Sequence, residues 1–64
     1  MITNDTIPGA RIKVITGQYS GRIGEFIKHC SSVFPEYCRV KLDLTKRERN
    51  AKIIMIKKVE IDYE

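Results

Sequence analysis

The chain has no tryptophan, two prolines, four glycines and only two cysteines among its 64 residues. Two cysteines are too few to build a disulfide scaffold, and in an intracellular setting Cys30 and Cys38 are expected as reduced thiols. A single bridge between them across neighbouring strands stays open for an oxidising setting. No apolar run approaches the ~18 residues that a membrane span needs. Residues 1–6 lack a basic stretch followed by an apolar one, so no signal peptide is read there, and a cytoplasmic or organelle-interior location is expected. The aromatic residues are Tyr19, Phe26, Phe34, Tyr37 and Tyr63. They are too scattered for the clustered aromatic groove of a peptide-binding SH3 domain.

Catalytic inventory is equally thin. There is no phosphate-cradling GxxxxGK[ST] loop and no paired carboxylates. His29 is the only histidine, and no third group is placed to orient it beside a thiol. His29 and Cys30 are adjacent, which on a strand sends them to opposite faces, and no CxxC pair exists, so they do not read as metal ligands. The expectation is a non-enzyme with no cofactor, no metal and no small-molecule substrate.

What is present is one domain's worth of chain and a surplus of positive charge. The net charge is +4, unevenly spread. All twelve Lys and Arg lie between Arg11 and Lys58, opposed there by Glu25, Glu36, Asp43 and Glu48 alone, a local balance of +8. Asp5, Glu60, Asp62 and Glu64 mark the two ends. A basic body of this kind suits a polyanionic partner approached from one side.

Hydrophobic patterning reads as short strands. Residues 1–8 are taken as a flexible lead-in, closed by the Pro8-Gly9 turn signal. Ala10 to Val14 alternates apolar and charged with period two. A turn over Gly17 to Gly21 follows, with glycines free to take positive φ. Arg22 to Lys28 is a second strand, and Ser31 to Glu36 a loop. Cys38 to Leu44 alternates strictly as a third strand. Thr45 to Asn50 is a charged turn. Ala51 to Ile56 is a continuous apolar strand, expected to be covered on both faces. Its neighbourhood also has helical spacing, but its β-branched content favours a strand. Val59, Ile61 and Tyr63 then alternate in a short fifth strand. Five short strands with tight connections predict an all-β fold, a small five-stranded barrel.

From Gly9 the chain reads Gly-x-x-Ile12-x-Val14-x-x-Gly17-x-x-x-Gly21-x-x-Gly24-x-Phe26. This spacing resembles the KOW motif of several ribosomal proteins and of NusG-type transcription elongation factors, and spans about a quarter of the chain. The resemblance implies an SH3-like barrel. Physically, Ile12, Val14 and Phe26 should point inward, and Gly24 should sit where a side chain would obstruct the curved sheet. KOW proteins of ribosomes place lysines in the loop after the first strand, against RNA phosphates. Here Gln18 and Ser20 hold two such places around Tyr19, which weakens that contact.

Candidate binding residues are therefore Gln18, Tyr19 and Ser20 at the loop tip and Arg11, Lys13 and Arg22 on the first two strands. Arg39 and Lys41 on the third strand and Lys46, Arg47, Arg49 and Lys52 around the fourth connection complete the set. The leading expectation is a nucleic-acid-binding module, RNA above all, within a ribonucleoprotein or a transcription or translation complex. The alternative is a protein–protein docking subunit that presents its basic face to an acidic partner. A free-standing KOW protein encoded by a phage or plasmid is a third reading. None of the three involves a membrane.

Overall fold

The computed structural model describes residues 2–3, 5–30 and 33–64. Five antiparallel strands form one sheet: β1 Arg11–Val14, β2 Ile23–His29, β3 Tyr37–Leu42, β4 Lys52–Lys57 and β5 Ile61–Tyr63. Their order is β4-β3-β2-β1-β5. The first four strands form a meander. A 3-10 turn over Lys58–Glu60 then returns the chain so that β5 pairs with β1. The all-β, five-stranded barrel expected from the sequence is the fold of the protein.

Alternation decides which residues enter the core. On β1, Ile12 and Val14 are fully buried while Arg11 and Lys13 face solvent. On β3, Cys38, Val40 and Leu42 are buried and Arg39 and Lys41 exposed. Phe26, Ile56, Ile61 and Ile2 complete the core, with Ala10, Tyr19 and Ile54 packed against it. Each fully buried aliphatic or aromatic side chain contributes roughly 1.5–3 kcal/mol, so a core this small tolerates few losses.

Gly17 and Gly21 have φ near +91°, which lets the β1–β2 connection reverse the chain. Hydrogen bonds from Gly21 N to Val14 O (2.8 Å) and Val14 N to Arg22 O (2.9 Å) close this loop. Gly24 faces Leu42 across β2–β3, and a Cβ there would lie 2.5 Å from the Lys41 carbonyl oxygen. This is the obstruction anticipated from the motif spacing.

Two expectations need correction. β4 is not covered on both faces, since Ile53 and Met55 are 57% and 53% exposed. In a fold of one sheet each strand has one side on the core and one toward solvent, and the unbroken apolar run of β4 does not reveal its outer side. Val59 belongs to the 3-10 turn and is 68% exposed, so the fifth strand contains only Ile61–Tyr63. The lead-in also makes specific contacts. Ile2 joins the core, and the buried Thr6 shares a 2.8 Å hydroxyl hydrogen bond with Tyr63. Met1 and Asn4 of the lead-in, and Ser31 and Ser32 of the second loop, lie outside the described residues.

A β-bulge interrupts the β2–β3 register between Phe26 and Lys28. Strict alternation from Phe26 would turn Lys28 inward. The extra residue turns it to solvent and sets it opposite Arg39.

Candidate nucleic-acid interface

The sequence nominated cations by number, and the structure sorts them by whether a carboxylate already holds them. Arg11 is engaged. Its guanidinium pairs with the Asp43 carboxylate through two nitrogens and lies 3.5 Å from Glu64. The Arg11 hydrogen bond and charge hold the Asp43 carboxyl below its ordinary 3.8. Arg22 is engaged too, donating from Nη2 to Glu48 Oε1 at 2.8 Å and to the Asp43 carbonyl at 2.9 Å. Glu48 also accepts from the Thr45 backbone N–H at 3.0 Å, while the Glu48 N–H donates to the Thr45 carbonyl at 3.1 Å. The Thr45 hydrogen bonds, together with Arg22, depress the Glu48 carboxyl below its ordinary 4.5. Arg22 thus ties the 45–50 turn to the start of β2.

Lys52 lies over the Tyr19 ring, its Nζ 5.2 Å from the centroid and 3.4 Å from the phenol oxygen. Tyr19 is half-buried against the core, so the loop tip and the start of β4 meet at one end of the barrel. Gln18 and Tyr19 line a shallow cavity of about 240 Å³ with Thr16, Ile54, Ile56 and Glu60. The Ser20 hydroxyl donates back to the Ile15 carbonyl at 3.3 Å.

The remaining nominated cations hold no ion pair among the described residues. Lys13 lies across the ladder from Asp62, as Lys41 does from Glu25. Arg39 and Lys41 project from the outer face of β3. Lys46, Arg47 and Arg49 are exposed on the turn that Arg22 and Glu48 anchor. These five do not form one compact cluster. Arg39 and Lys41 form a strip along β3, which leads toward the turn that carries the other three.

Lys28 and Phe34 escaped the sequence reading. Lys28 extends the strip across the bulge to β2, directly opposite Arg39. The bulge leaves no mark in the apolar pattern, so no sequence signal placed Lys28 there. Phe34 is 53% exposed in the β2–β3 connection, and its ring meets Tyr37 edge-on with centroids 6.4 Å apart. Tyr37 in turn carries Lys57, with Nζ 5.9 Å from the ring centre.

His29 and Cys38 pack against the core, while Cys30 is half-buried. His29 Nε2 is 3.1 Å from the Thr6 carbonyl and, facing a carbonyl, must donate. Its ring packs edge-on against Phe26, and Nδ1 is buried with no hydrogen-bond partner among the described residues. Cys30 and Cys38 are free thiols. Burial pushes the Cys38 thiol up to about 11, partly opposed by the charge of Lys58.

Compared with known protein families, curated proteins and solved structures, the chain matches none.

Proposed function

We propose that this chain is a non-catalytic nucleic-acid-binding module that holds RNA phosphates along β3 and the β3–β4 turn. The observation that carries this reading is a division of labour among the basic residues. Arg11 and Arg22 are held by Asp43, Glu48 and Glu64, whereas Lys28, Arg39, Lys41, Lys46, Arg47 and Arg49 have no ion pair among the described residues. Cations that form no ion pair along one strip, Lys41 among them although Glu25 lies opposite it across the ladder, exchange their counterions for phosphates at little structural cost. The likeness of Gly9 to Phe26 to the KOW motif supports the same reading. Action within a ribonucleoprotein, transcription or translation complex is part of the proposal.

The test is fluorescence-anisotropy binding to short RNA over ~50–300 mM salt, for wild type and for the Lys46→Ala/Arg47→Ala/Arg49→Ala triple variant. Three lost phosphate contacts lower the slope of log K against log salt by about 2, at ~0.7 per contact for a single strand. An unchanged slope refutes phosphate contact by the turn.

A docking role has one observation of its own. Ile53 and Met55 are exposed on β4, an edge strand that a partner's strand can extend. Lys52 and Lys57 flank them and would favour an acidic partner. Failure to bind nucleic acid at low salt, with capture of an acidic protein that Met55→Lys abolishes, favours this second reading.

A further inference from the structure

Beyond the phosphate strip, the β2–β3 side of the barrel carries a depression of about 310 Å³. Lys28, His29, Cys30, Phe34, Arg39 and Met55 line it. We propose that this depression takes one unpaired nucleotide of a single-stranded nucleic acid. Its base lies on the Phe34 ring and its phosphate between Lys28 and Arg39. The inference rests on the nucleic-acid reading above and names the form of the ligand.

Three features point to this ligand. First, Lys28 and Arg39 are directly opposed across the ladder with no ion pair among the described residues. Like charges at opposed positions repel, and a phosphate between them relieves that repulsion. Second, Phe34 is a more than half-exposed aromatic ring in T-shaped contact with Tyr37. Stacking on such a ring accepts any base because every base has a flat face. Third, the exposed Met55 adds apolar surface beside the ring, so cations and a stacking surface share one concavity. A phosphate joined through a sugar to a planar base matches that combination.

A duplex does not match it. Paired bases are stacked on one another and present phosphates and groove edges, not a free face. An anionic membrane would meet the charges but leave the concave ring site without a planar occupant. The site also continues the strip. Arg39 neighbours Lys41 on the outer face of β3, so a strand leaving the depression runs on toward Lys46, Arg47 and Arg49.

The experiment measures binding of the full chain to a labelled 12-mer oligouridine, to an RNA duplex of equal length and to anionic phosphatidylserine vesicles. Wild type is compared with Phe34→Ala, Phe34→Trp and Lys28→Ala/Arg39→Ala, each checked for an unchanged melting midpoint. Phe34→Ala is expected to weaken oligouridine binding by roughly 5- to 160-fold while leaving duplex binding unaltered. Phe34→Trp is expected to retain affinity. Since the chain has no native tryptophan, the introduced side chain is the sole indole reporter, and a stacked base quenches it. Loss of Lys28 and Arg39, which share one phosphate, is expected to lower the oligouridine salt slope by about 0.7. Binding of both RNA forms with Phe34→Ala indistinguishable from wild type overturns the base site alone. Indole fluorescence of the Phe34→Trp variant that stays unquenched at saturating oligouridine does the same. Failure to bind either RNA at ~50 mM salt overturns the base site and the nucleic-acid reading together, as does Phe34-dependent binding to vesicles only.

Discussion

Replacing Gly24 with alanine tests the close approach of β2 and β3, which sets the position of every outward cation on those strands. A Cβ at Gly24 would lie 2.5 Å from the Lys41 carbonyl oxygen and 3.0 Å from the Leu42 Cα. Ordinary contact begins at 3.4 Å, so the two strands must separate locally by about 0.9 Å. The obstructing atoms are backbone in the middle of a ladder, and no rotamer change relieves them. Overpacking of this kind costs about 1–3 kcal/mol, here toward the upper end. A core in a domain this small supplies only about 3–5 kcal/mol, so Gly24→Ala removes a large share of it. In urea, with a slope near ~1 kcal/mol per molar for so short a chain, the midpoint falls by about 1–3 M at unchanged slope. Far-UV circular dichroism follows the transition. Gly21→Ala is the matched control. No atom lies within 4 Å of its Cβ position, and its cost comes from φ of +91° alone, at about 1–2 kcal/mol. A Gly24→Ala midpoint equal to that of wild type would refute the close approach and the register built on it.

Three further outcomes follow from the same geometry. Arg22→Ala should lower the melting midpoint, because it releases the 45–50 turn from Glu48 and Asp43; an unchanged midpoint would show that the turn needs no tether. The Asp43 and Glu48 carboxyls are both depressed, so the folded state binds fewer protons than the unfolded chain and stability rises with pH. Their contribution is complete above the ordinary values of 3.8 and 4.5 and is lost as pH falls through the lower folded values. Thermal melts from pH ~2.5 to 7 should therefore slope less steeply in Asp43→Asn/Glu48→Gln than in wild type, and equal slopes would rule out this linkage. The buried Cys38 thiol, pushed up to about 11, should resist iodoacetamide at pH 8 while half-buried Cys30 reacts, as mass spectrometry of the native protein reads directly. Equal modification of both would contradict the burial of Cys38.

Much of the architecture is legible in the sequence. Period-two alternation places Ile12, Val14, Val40 and Leu42 in the core and Lys13, Arg39 and Lys41 outside it, as the strands do. That pattern is local, and each strand carries its own copy. The spacing of Gly17, Gly21 and Gly24 likewise marks two positive-φ positions and one close approach, because only glycine meets either demand without strain.

What tertiary structure alone decided is strand position and partnership. Ile53 and Met55 look like core residues in a row of apolar letters, and only the folded sheet shows that they lie on the outer side of β4. Arg11 and Arg22 are indistinguishable from Arg39 by pattern. They are held by carboxylates remote in sequence, Asp43 lying 32 residues from Arg11 and Glu48 lying 26 from Arg22, with Glu64 at the far end of the chain. The β1–β2 pairing, the return of β5 and the 45–50 turn bring them within reach. The bulge after Phe26 has no signature in hydrophobic periodicity, yet it sets Lys28 opposite Arg39. Alternation is a property of one strand, whereas an ion pair or a shared cation site needs two segments brought together, and that information lies in the fold.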